Sequence, residues 1–272
     1  MTIALHVRTR PAEAEIVAAE LWSLGANAIE ERGDERGTTS LVAGFESDGA
    51  TRRAASRIGT DATVQTIDAA VWEAWRDHAN PSEGGTRLLI VPAWVTAPAT
   101  TRTVLLLDPG SVFGSGAHAS TQLVLQAFDQ IDMTDESLLD VGCGSGVLSI
   151  AAALLGARRA VGIDIDTDAP RVTMANAELN GVARVIEAST TPLAETGGPF
   201  GVVAANILRP VLLDLAPDLA ERVGESGHLV LSGLLTDQAD AVVAAVTTAD
   251  GSLIEIDRLH SDGWAAPVMR RT

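Results

Sequence analysis

Apolar and polar residues follow two different patterns along this chain, and the first runs from the N-terminus to about residue 68. Ile3, Leu5 and Val7 are separated by small or polar residues, which is the period of a half-buried strand. Pro11 then opens a stretch in which the apolar residues of 17–24 recur at helical spacing. The chain is therefore predicted to begin with a strand followed by a helix.

The rest of this first region completes a β-α-β-β-α-β order. Its predicted elements are strands at 28–30 and 40–43 around a turn at 33–37, a helix at 50–58 and a strand at 63–67. This order is typical of a ferredoxin-like fold, so residues 1–68 are predicted to form such a domain. Units of this kind often bind other molecules, and we interpret this one as a substrate-recognition domain, although a fold alone does not decide a role.

Residues 69–101 are interpreted as a connector between two domains. Prolines and glycines interrupt the stretch, which favours irregular structure. Trp72 and Trp75 are three residues apart on a predicted short helix. Because tryptophan buries a large area, we expect both of them to pack between the domains.

A second pattern, apolar strands alternating with helices, begins at about residue 102 and continues to the end. Strands are predicted at 138–141, 160–164, 202–206, 228–231, 253–259 and 264–269, with helices at 147–155, 168–180, 211–223 and 236–247. Strands this apolar indicate a parallel sheet that helices cover on both faces. The last two strands have no helix between them and are expected to form an antiparallel edge hairpin. Residues 102–272 are therefore predicted to be a doubly wound, Rossmann-like α/β domain.

Composition removes several classes of function. The formal net charge is −17, and every basic residue apart from histidine is arginine. Without lysine there is neither a phosphate-loop lysine nor a Schiff-base amine. An acidic surface disfavours direct nucleic-acid binding and suits a basic protein partner. Cys143 is the only cysteine, so neither a disulfide within the chain nor a cysteine zinc cluster is expected.

The sequence also carries predictions about location and metals. Charge appears too early for a signal peptide, and no apolar run is long enough to cross a membrane. We therefore expect a cytoplasmic protein with no membrane partner. His118 has no second ligand at a useful spacing, so no metal site is predicted.

A glycine-rich loop lies between the strand at 138–141 and the helix after it. It reads Asp140-Val141-Gly142-Cys143-Gly144-Ser145-Gly146, and Asp164 ends the next strand. In an open α/β sheet such a loop binds ligands, and the acid can accept hydrogen bonds from ribose hydroxyls. Val147 stands where a dinucleotide site has its third glycine, and this favours S-adenosylmethionine over a dinucleotide. In this interpretation Gly142, Gly144, Gly146 and Asp164 bind the cofactor, and Asp140 helps to hold its ammonium group.

Two further segments are unusual. Residues 107–121 contain three glycines, His118 and a Ser-Thr pair before a helix, which Ser120 or Thr121 is expected to cap. His118 is interpreted as a packing or hydrogen-bonding residue, with a role as general base left as an alternative. Asn206 ends a strand at the same rim, where its carbonyl can orient the N–H bonds of an amine acceptor. Capping of a turn is the alternative role for Asn206.

These segments resemble the PrmA-type methyltransferases that act on ribosomal protein L11. The resemblance rests on Asp108-Pro109-Gly110, on residues 113–121 and on the glycine loop. It continues through Gly162-Ile163-Asp164-Ile165-Asp166 and Ala205-Asn206-Ile207-Leu208, and extends to the small N-terminal domain and the Trp-bearing connector. It departs at Ala117-His118-Ala119-Ser120-Thr121, where the family usually has Thr-His-Pro-Thr-Thr.

The resemblance implies a function and a set of site residues. It implies a protein N-methyltransferase that uses S-adenosylmethionine and methylates lysine side chains and an N-terminal amine of L11. The implied cofactor contacts are Thr121, Gly142, Asp164 and Asn206, and the N-terminal domain would dock the basic substrate. Three alternatives remain: a methyltransferase for another protein or a small amine, an NAD-dependent oxidoreductase, and a non-catalytic module that binds S-adenosylmethionine.

Overall fold

The structure is a computed structural model that describes residues 2–24, 26–33, 39–45, 48–58, 62–67, 80–109, 112 and 114–272. The chain divides into two compact units, Met1–Ala79 and Asn80–Thr272, which are described separately below. Most of the predicted turn at 33–37 lies outside the described residues. So do Trp72 and Trp75, for which the predicted helix stays a prediction.

The described residues of the first unit form four strands and two helices in the order expected from the sequence. They are β1 (Thr2–Thr9), α1 (Pro11–Ser23), β2 (Ala26–Gly33), β3 (Thr39–Phe45), α2 (Asp48–Ile58) and β4 (Ala62–Ile67). The sheet has the strand order β2-β3-β1-β4, and each neighbouring pair is antiparallel. Leu5 and Val7 of β1 enter one core with Leu21 of α1 and Ala54 of α2, as the alternation in β1 indicates.

The second unit begins with a three-stranded sheet that the sequence analysis did not predict. Its strands are β5 (Ser82–Gly84), β6 (Leu88–Pro92) and β7 (Thr103–Leu107), in the order β5-β6-β7. Residues 80–101 therefore differ from the predicted connector. Leu88 and Ile90 are buried in the same core as Leu105 and Leu107, and this burial makes the stretch part of the second unit.

Where the structure describes it, the second unit continues with a large sheet and five α-helices. The strands are β8 (Ser137–Val141), β9 (Arg159–Ile163), β10 (Ile186–Ser189), β11 (Phe200–Asn206), β12 (Val223–Ser232), β13 (Leu234–Leu235), β14 (Leu253–Ser261) and β15 (Trp264–Arg271). The helices are α3 (Ala119–Gln130), α4 (Val147–Leu154), α5 (Ala169–Leu179), α6 (Arg209–Arg222) and α7 (Ala239–Ala249). None of the helices in the described ranges is long and apolar enough to cross a membrane.

The five strands β10-β9-β8-β11-β12 are parallel, and apolar layers bury both of their faces. Adjacent residues point to opposite layers: Leu138 packs with Phe128 of α3, and Leu139 packs in the layer that contains Leu212 of α6. This confirms the predicted α/β sheet with helices on both faces.

The last strands extend the sheet in antiparallel fashion. β15 lies between β12 and β14 and pairs antiparallel with each of them, so β14 and not β15 is outermost there. β13, which the sequence analysis missed, also pairs with β15. The short strand β10 was missed as well, because its four residues carry too little apolar periodicity to be recognised.

Candidate active site

The residues predicted to form a site lie at one edge of the large sheet. Strands β9, β8 and β11 are consecutive neighbours, and all three are parallel. Their carboxyl ends therefore meet at the same rim. The glycine loop (residues 142–146) follows β8, Asp164 follows β9, and Asn206 ends β11. The fold thus brings together three segments that are distant in sequence.

The glycine loop begins with a turn anchored on β9. Gly142 N and Cys143 N both donate to the carbonyl of Ile163, at 2.8 and 3.1 Å. Gly142 has a φ of +80°, which strongly favours glycine. A Cβ at Gly142 would also lie 2.4 Å from Cγ2 of Ile207. The loop and the Asn-Ile-Leu segment after β11 are therefore packed too closely for any side chain at this position.

The other two glycines of the loop have different surroundings. Gly144 N donates to Oδ2 of Asp164 at 2.8 Å, so this predicted site residue contacts the predicted ribose-binding acid. Gly146 is the N-cap of α4, with a φ of +81°. A Cβ at Gly146 would lie 2.7 Å from Cγ2 of Thr173 on α5, so this glycine permits two helices to approach.

Asp164 is held from both sides. Its Oδ2 accepts from Gly144 N at 2.8 Å, and its Oδ1 accepts from Asp166 N at 2.9 Å. A carboxylate oxygen can accept more than one hydrogen bond, so each oxygen can still accept from a hydroxyl group. Ile165, which follows Asp164, is fully exposed and places apolar surface beside the carboxylate.

Asp140 lies beneath the loop and is fully buried. Its Oδ2 accepts from the backbone N and from Oγ of Ser149, at 3.1 and 2.8 Å. Its Oδ1 has no hydrogen-bond partner among the described residues. Burial raises the pKa of this carboxyl to about 7 against the two bonds from Ser149, and the charge of Asp164 adds to the rise. An orphaned buried acceptor of this kind suits a cationic ligand group nearby.

Cys143, in the same loop, is a packing residue. Burial raises the pKa of its thiol, and the nearby carboxyl of Asp140 raises it further, so the reactive thiolate is suppressed. Its Cβ and Sγ would lie 2.9 and 3.0 Å from a Cβ at Gly162. The thiol therefore fills space against β9.

The start of α3 differs from the expectation. His118, and not Ser120 or Thr121, is the N-cap, and its Nδ1 accepts from Ser120 N at 3.2 Å. The same Nδ1 lies 2.8 Å from Oγ of Ser120, and the ring meets the edge of Trp264 with centroids 4.9 Å apart. The prediction of a cap within the Ser-Thr pair was wrong, because an imidazole nitrogen two residues before Ser120 N takes the capping role. His118 thus makes the hydrogen-bonding and packing contacts that the sequence predicted, and a role as general base stays the alternative.

Thr121 and Asn206 are brought into direct contact. Asn206 Nδ2 donates to Oγ1 of Thr121 at 3.1 Å, and this bond joins β11 to the first turn of α3. Ser232, at the end of β12, donates its Oγ to the carbonyl of Ser120 at 2.9 Å. The N-terminus of α3 is therefore tied to two neighbouring strand ends at the rim.

Two residues that the sequence analysis did not single out join the segment before α3 to the glycine loop. Ser145 Oγ donates to the carbonyl of Gly114 at 2.6 Å. Asn176 of α5 donates to the carbonyls of both Asp108 and Ser145, at 2.9 Å each. The only signal in the sequence is an asparagine inside a helix, where this residue is a poor helix former. Gly110, Ser111 and Phe113 of that segment lie outside the described residues.

The hydrogen-bond acceptors at this rim fit S-adenosylmethionine. Asp164 offers carboxylate oxygens for a diol, and Oδ1 of Asp140, close to the loop, is buried without a partner in the described part of the chain. The N-cap of α4 is a glycine in the left-handed conformation that is packed against Thr173. A bound pyrophosphate needs a free helix N-terminus, which this packing does not favour.

Comparisons with known proteins agree with this geometry. The family model described as ribosomal protein L11 methyltransferase (PrmA) matches residues 47–272. A ribosomal protein L11 methyltransferase of Azotobacter vinelandii is 44% identical over 202 residues, which are 74% of this chain and 68% of the relative. One from Sorangium cellulosum is 38% identical over 253 residues, or 87% of this chain and 80% of the relative. A third, from Citrifermentans bemidjiense, is 48% identical, but the match spans only 60% of that relative.

A solved structure agrees at the level of the fold. The crystal structure of a ribosomal protein L11 methylase from Lactobacillus delbrueckii subsp. bulgaricus superposes with a TM-score of 0.66. It is 31% identical in sequence, and the match covers 71% of this chain and all of that chain. The chain therefore shares an α/β methyltransferase fold with a protein of that name.

Proposed function

The chain belongs to the family of ribosomal protein L11 methyltransferases, and we propose that it transfers methyl groups from S-adenosylmethionine to amino groups of ribosomal protein L11. The observation that carries the proposal is the meeting of three segments at adjacent strand ends. At these strand ends lie three groups of residues: the glycine loop with Asp164, the Thr121–Asn206 pair, and the buried carboxyl of Asp140. Together they offer partners for a ribose, an ammonium group and an acceptor amine.

Each cofactor-binding residue has a separate role in this proposal. When bound, S-adenosylmethionine supplies an electrophilic methyl group on a sulfonium. Asp164 accepts from the ribose hydroxyls, while Gly144 N and Asp166 N keep its carboxylate in place. The loop from Gly142 to Gly146 receives the amino-acid end, and Asp140 offers its carboxyl oxygen Oδ1 to the ammonium group, whose positive charge favours the ionised carboxylate. Thr121 contacts the cofactor from the start of α3.

Asn206 is proposed to orient the acceptor nitrogen. Its Nδ2 donates to Thr121 Oγ1, which orients the amide so that Oδ1 can accept an N–H of the amine. Transfer requires a neutral nitrogen with its lone pair directed at the methyl carbon. A free lysine amine has a pKa of about 10.4, so the site must favour its neutral form by removing water. Holding one N–H bond in place leaves the lone pair available for transfer.

The N-terminal unit is proposed to recognise the substrate. Its β-α-β-β-α-β order and its strand order β2-β3-β1-β4 support a ferredoxin-like domain over residues 1–68. The chain has a net charge of −17, and ribosomal proteins are commonly basic, so long-range attraction favours this encounter. The catalytic domain is assigned to residues 102–272, with residues 80–101 contributing β5 and β6 to its core. The cytoplasmic location expected from the sequence stays a prediction that rests on the ribosomal substrate.

Mass spectrometry of purified L11 tests the proposal. L11 incubated with the protein and S-adenosylmethionine should gain mass in whole methyl increments on lysine and N-terminal amines. Asn206→Ala should lower kcat more than it raises KM for the cofactor, because the lost group orients the acceptor. If the protein bound S-adenosylmethionine and left L11 unmodified, the proposed substrate would be wrong.

Two rival functions are separated by simple titrations. An NAD-dependent oxidoreductase would quench or shift NADH fluorescence on binding, whereas this site is expected to leave the signal unchanged. A non-catalytic module would bind S-adenosylmethionine but transfer no labelled methyl group to any protein in a cell extract. Transfer to a small amine or to another protein in that extract, with L11 unlabelled, would favour a different acceptor.

A further inference from the structure

Two asparagines, one in α5 and one at its C-cap, bind the edge of strand β7 at which no strand of the described residues pairs. Asn180, at the C-cap of α5, accepts from Leu106 N and donates to Leu106 O, at 2.8 and 2.7 Å. Asn176 does the same for Asp108 N and O, at 2.9 Å each. Their spacing of four residues puts both side chains on one face of the helix. The amides thus replace a missing neighbouring strand for alternate residues of β7 and its extension.

Asn176 makes one further bond that Asn180 does not. Its Nδ2 also donates to the carbonyl of Ser145, at 2.9 Å, inside the glycine loop. The side chain of Asn176 is buried, and its two N–H donors and its oxygen are all used. This single amide therefore bridges Asp108, where the segment leading to α3 begins, and the loop that follows β8.

A second bond joins the same two segments. Ser145 Oγ donates to Gly114 O at 2.6 Å. A Cβ at Gly114 would lie 2.7 Å from the same Ser145 Oγ. The segment from Asp108 to Gly114 is thus attached to Ser145 at one end directly and at the other end through Asn176. Thr121 lies at the end of this segment, so the attachment reaches residues on both sides of the proposed cofactor site.

We infer that Asn176 is a positioning residue that couples the segment before α3 to the glycine loop. This inference rests on the proposed function, because both segments are placed there in the cofactor site. Loss of the Asn176 amide frees both the Ser145 carbonyl and the Asp108 backbone. Binding of the cofactor must then also order the glycine loop, which costs free energy. Cofactor affinity falls as a result, whereas the Asn206–Thr121 bond and the bond from Ser232 to the start of α3 do not involve Asn176 and remain.

A matched pair of variants tests the coupling in the full-length protein. Asn176→Ala removes two hydrogen bonds to Asp108, and Asn180→Ala removes two to Leu106, but only Asn176→Ala removes the bond to Ser145. Asn180→Ala instead removes a bond to the carbonyl of Asn176, within the helix. Calorimetry should give a Kd for S-adenosylmethionine that is at least ~10-fold higher in Asn176→Ala, the equivalent of one net hydrogen bond. Asn180→Ala should stay within about 3-fold of the wild type. At saturating cofactor, kcat should fall far less than kcat/KM in Asn176→Ala.

Either of two results overturns the inference: equal affinities in wild type and Asn176→Ala, or equal losses in the two variants. Failure of the wild type to bind S-adenosylmethionine would instead refute the proposed function. If Asn176→Ala does not fold, hydrogen exchange in the wild type tests whether Asn176 couples the two segments. Cofactor should slow exchange of the Asp108 amide, which donates to Asn176, more than that of the Leu106 amide, which donates to Asn180. Equal effects on the two amides would contradict the coupling.

Discussion

Burial and charge conflict at Asp140. The carboxyl is fully buried beneath the glycine loop, and burial raises its pKa to about 7, with Asp164 contributing to the rise. In the unfolded chain the group ionises near its ordinary value of 3.8. Because the folded pKa is the higher one, the carboxyl stabilises the fold most at low pH. This stabilisation is lost as the pH rises towards 7.

Asp140→Asn should therefore change the pH dependence of stability. The amide keeps an oxygen that accepts from Ser149 and cannot ionise. The variant therefore does not lose stability as the pH rises towards 7. Between pH 5 and pH 8 the free energy of unfolding of the variant should improve relative to the wild type by about 3 kcal/mol. Urea denaturation at both pH values measures this. A constant difference between variant and wild type would show that Asp140 stays ionised in the folded protein.

At Gly142 the sequence indicates a ligand-binding loop, but only the structure shows why this position needs glycine. Its φ is +80°, and a Cβ at this position would lie 2.4 Å from Ile207, so each feature excludes a side chain. Gly142→Ala should cost roughly 2–4 kcal/mol, since strain at positive φ and overpacking add. Thermal denaturation with and without a second change, Ile207→Ala, separates these effects. The double variant should regain only the stability that Gly142→Ala loses through overpacking. Recovery of the whole loss would show that strain at positive φ contributes nothing.

The elements that frame the site were predictable to different degrees. The helix after residue 118 was expected, but its cap was not, because histidine is not among the preferred capping residues. Strands β5 and β6 were hidden by the prolines and glycines around them, although Leu88 and Ile90 are buried. The bridges made by Asn176 and Ser145 depend on contacts between distant segments, and no local periodicity encodes such contacts. The glycine loop and Asp164 were recognisable because their spacing is itself the signal.

His118 gives a prediction at the scale of helix α3. His118→Asn retains a capping acceptor for Ser120 N, whereas His118→Ala does not, so Ala should cost about 1 kcal/mol more in stability. If capping and packing are the role of His118, the Asn variant should keep most of the methylation activity. Steady-state rates over a range of pH test this. Equal loss of activity in both stable variants, with loss of a pH-dependent limb, would instead indicate a general base.

At the scale of the whole molecule, the alternation of apolar strands and helices predicted the doubly wound sheet and its covered faces. It did not predict that β15 inserts between β12 and β14, because periodicity indicates which face of a strand is buried and not which strand lies beside it. The division of the chain after Ala79 falls inside the stretch predicted as a connector, residues 69–101, since short strands that join a core can look like linker sequence.

The division into two units predicts separable activities. The second unit has its own core, so a fragment of residues 80–272 should fold and bind S-adenosylmethionine within about 3-fold of the full chain. If the first unit recognises L11, the fragment should lose at least ~10-fold in kcat/KM for that substrate. Methylation assays on both proteins provide the comparison. Undiminished kcat/KM in the fragment would remove the proposed role of the first unit.

The most direct test of the account is calorimetric titration of S-adenosylmethionine into the wild type and into Asp164→Ala. The wild type should bind one equivalent, and the variant should bind at least ~100-fold more weakly. Charge-assisted hydrogen bonds to the ribose are lost, and so is the bond that holds Gly144 N. A folded Asp164→Ala protein that binds with the affinity of the wild type would contradict the proposed cofactor site.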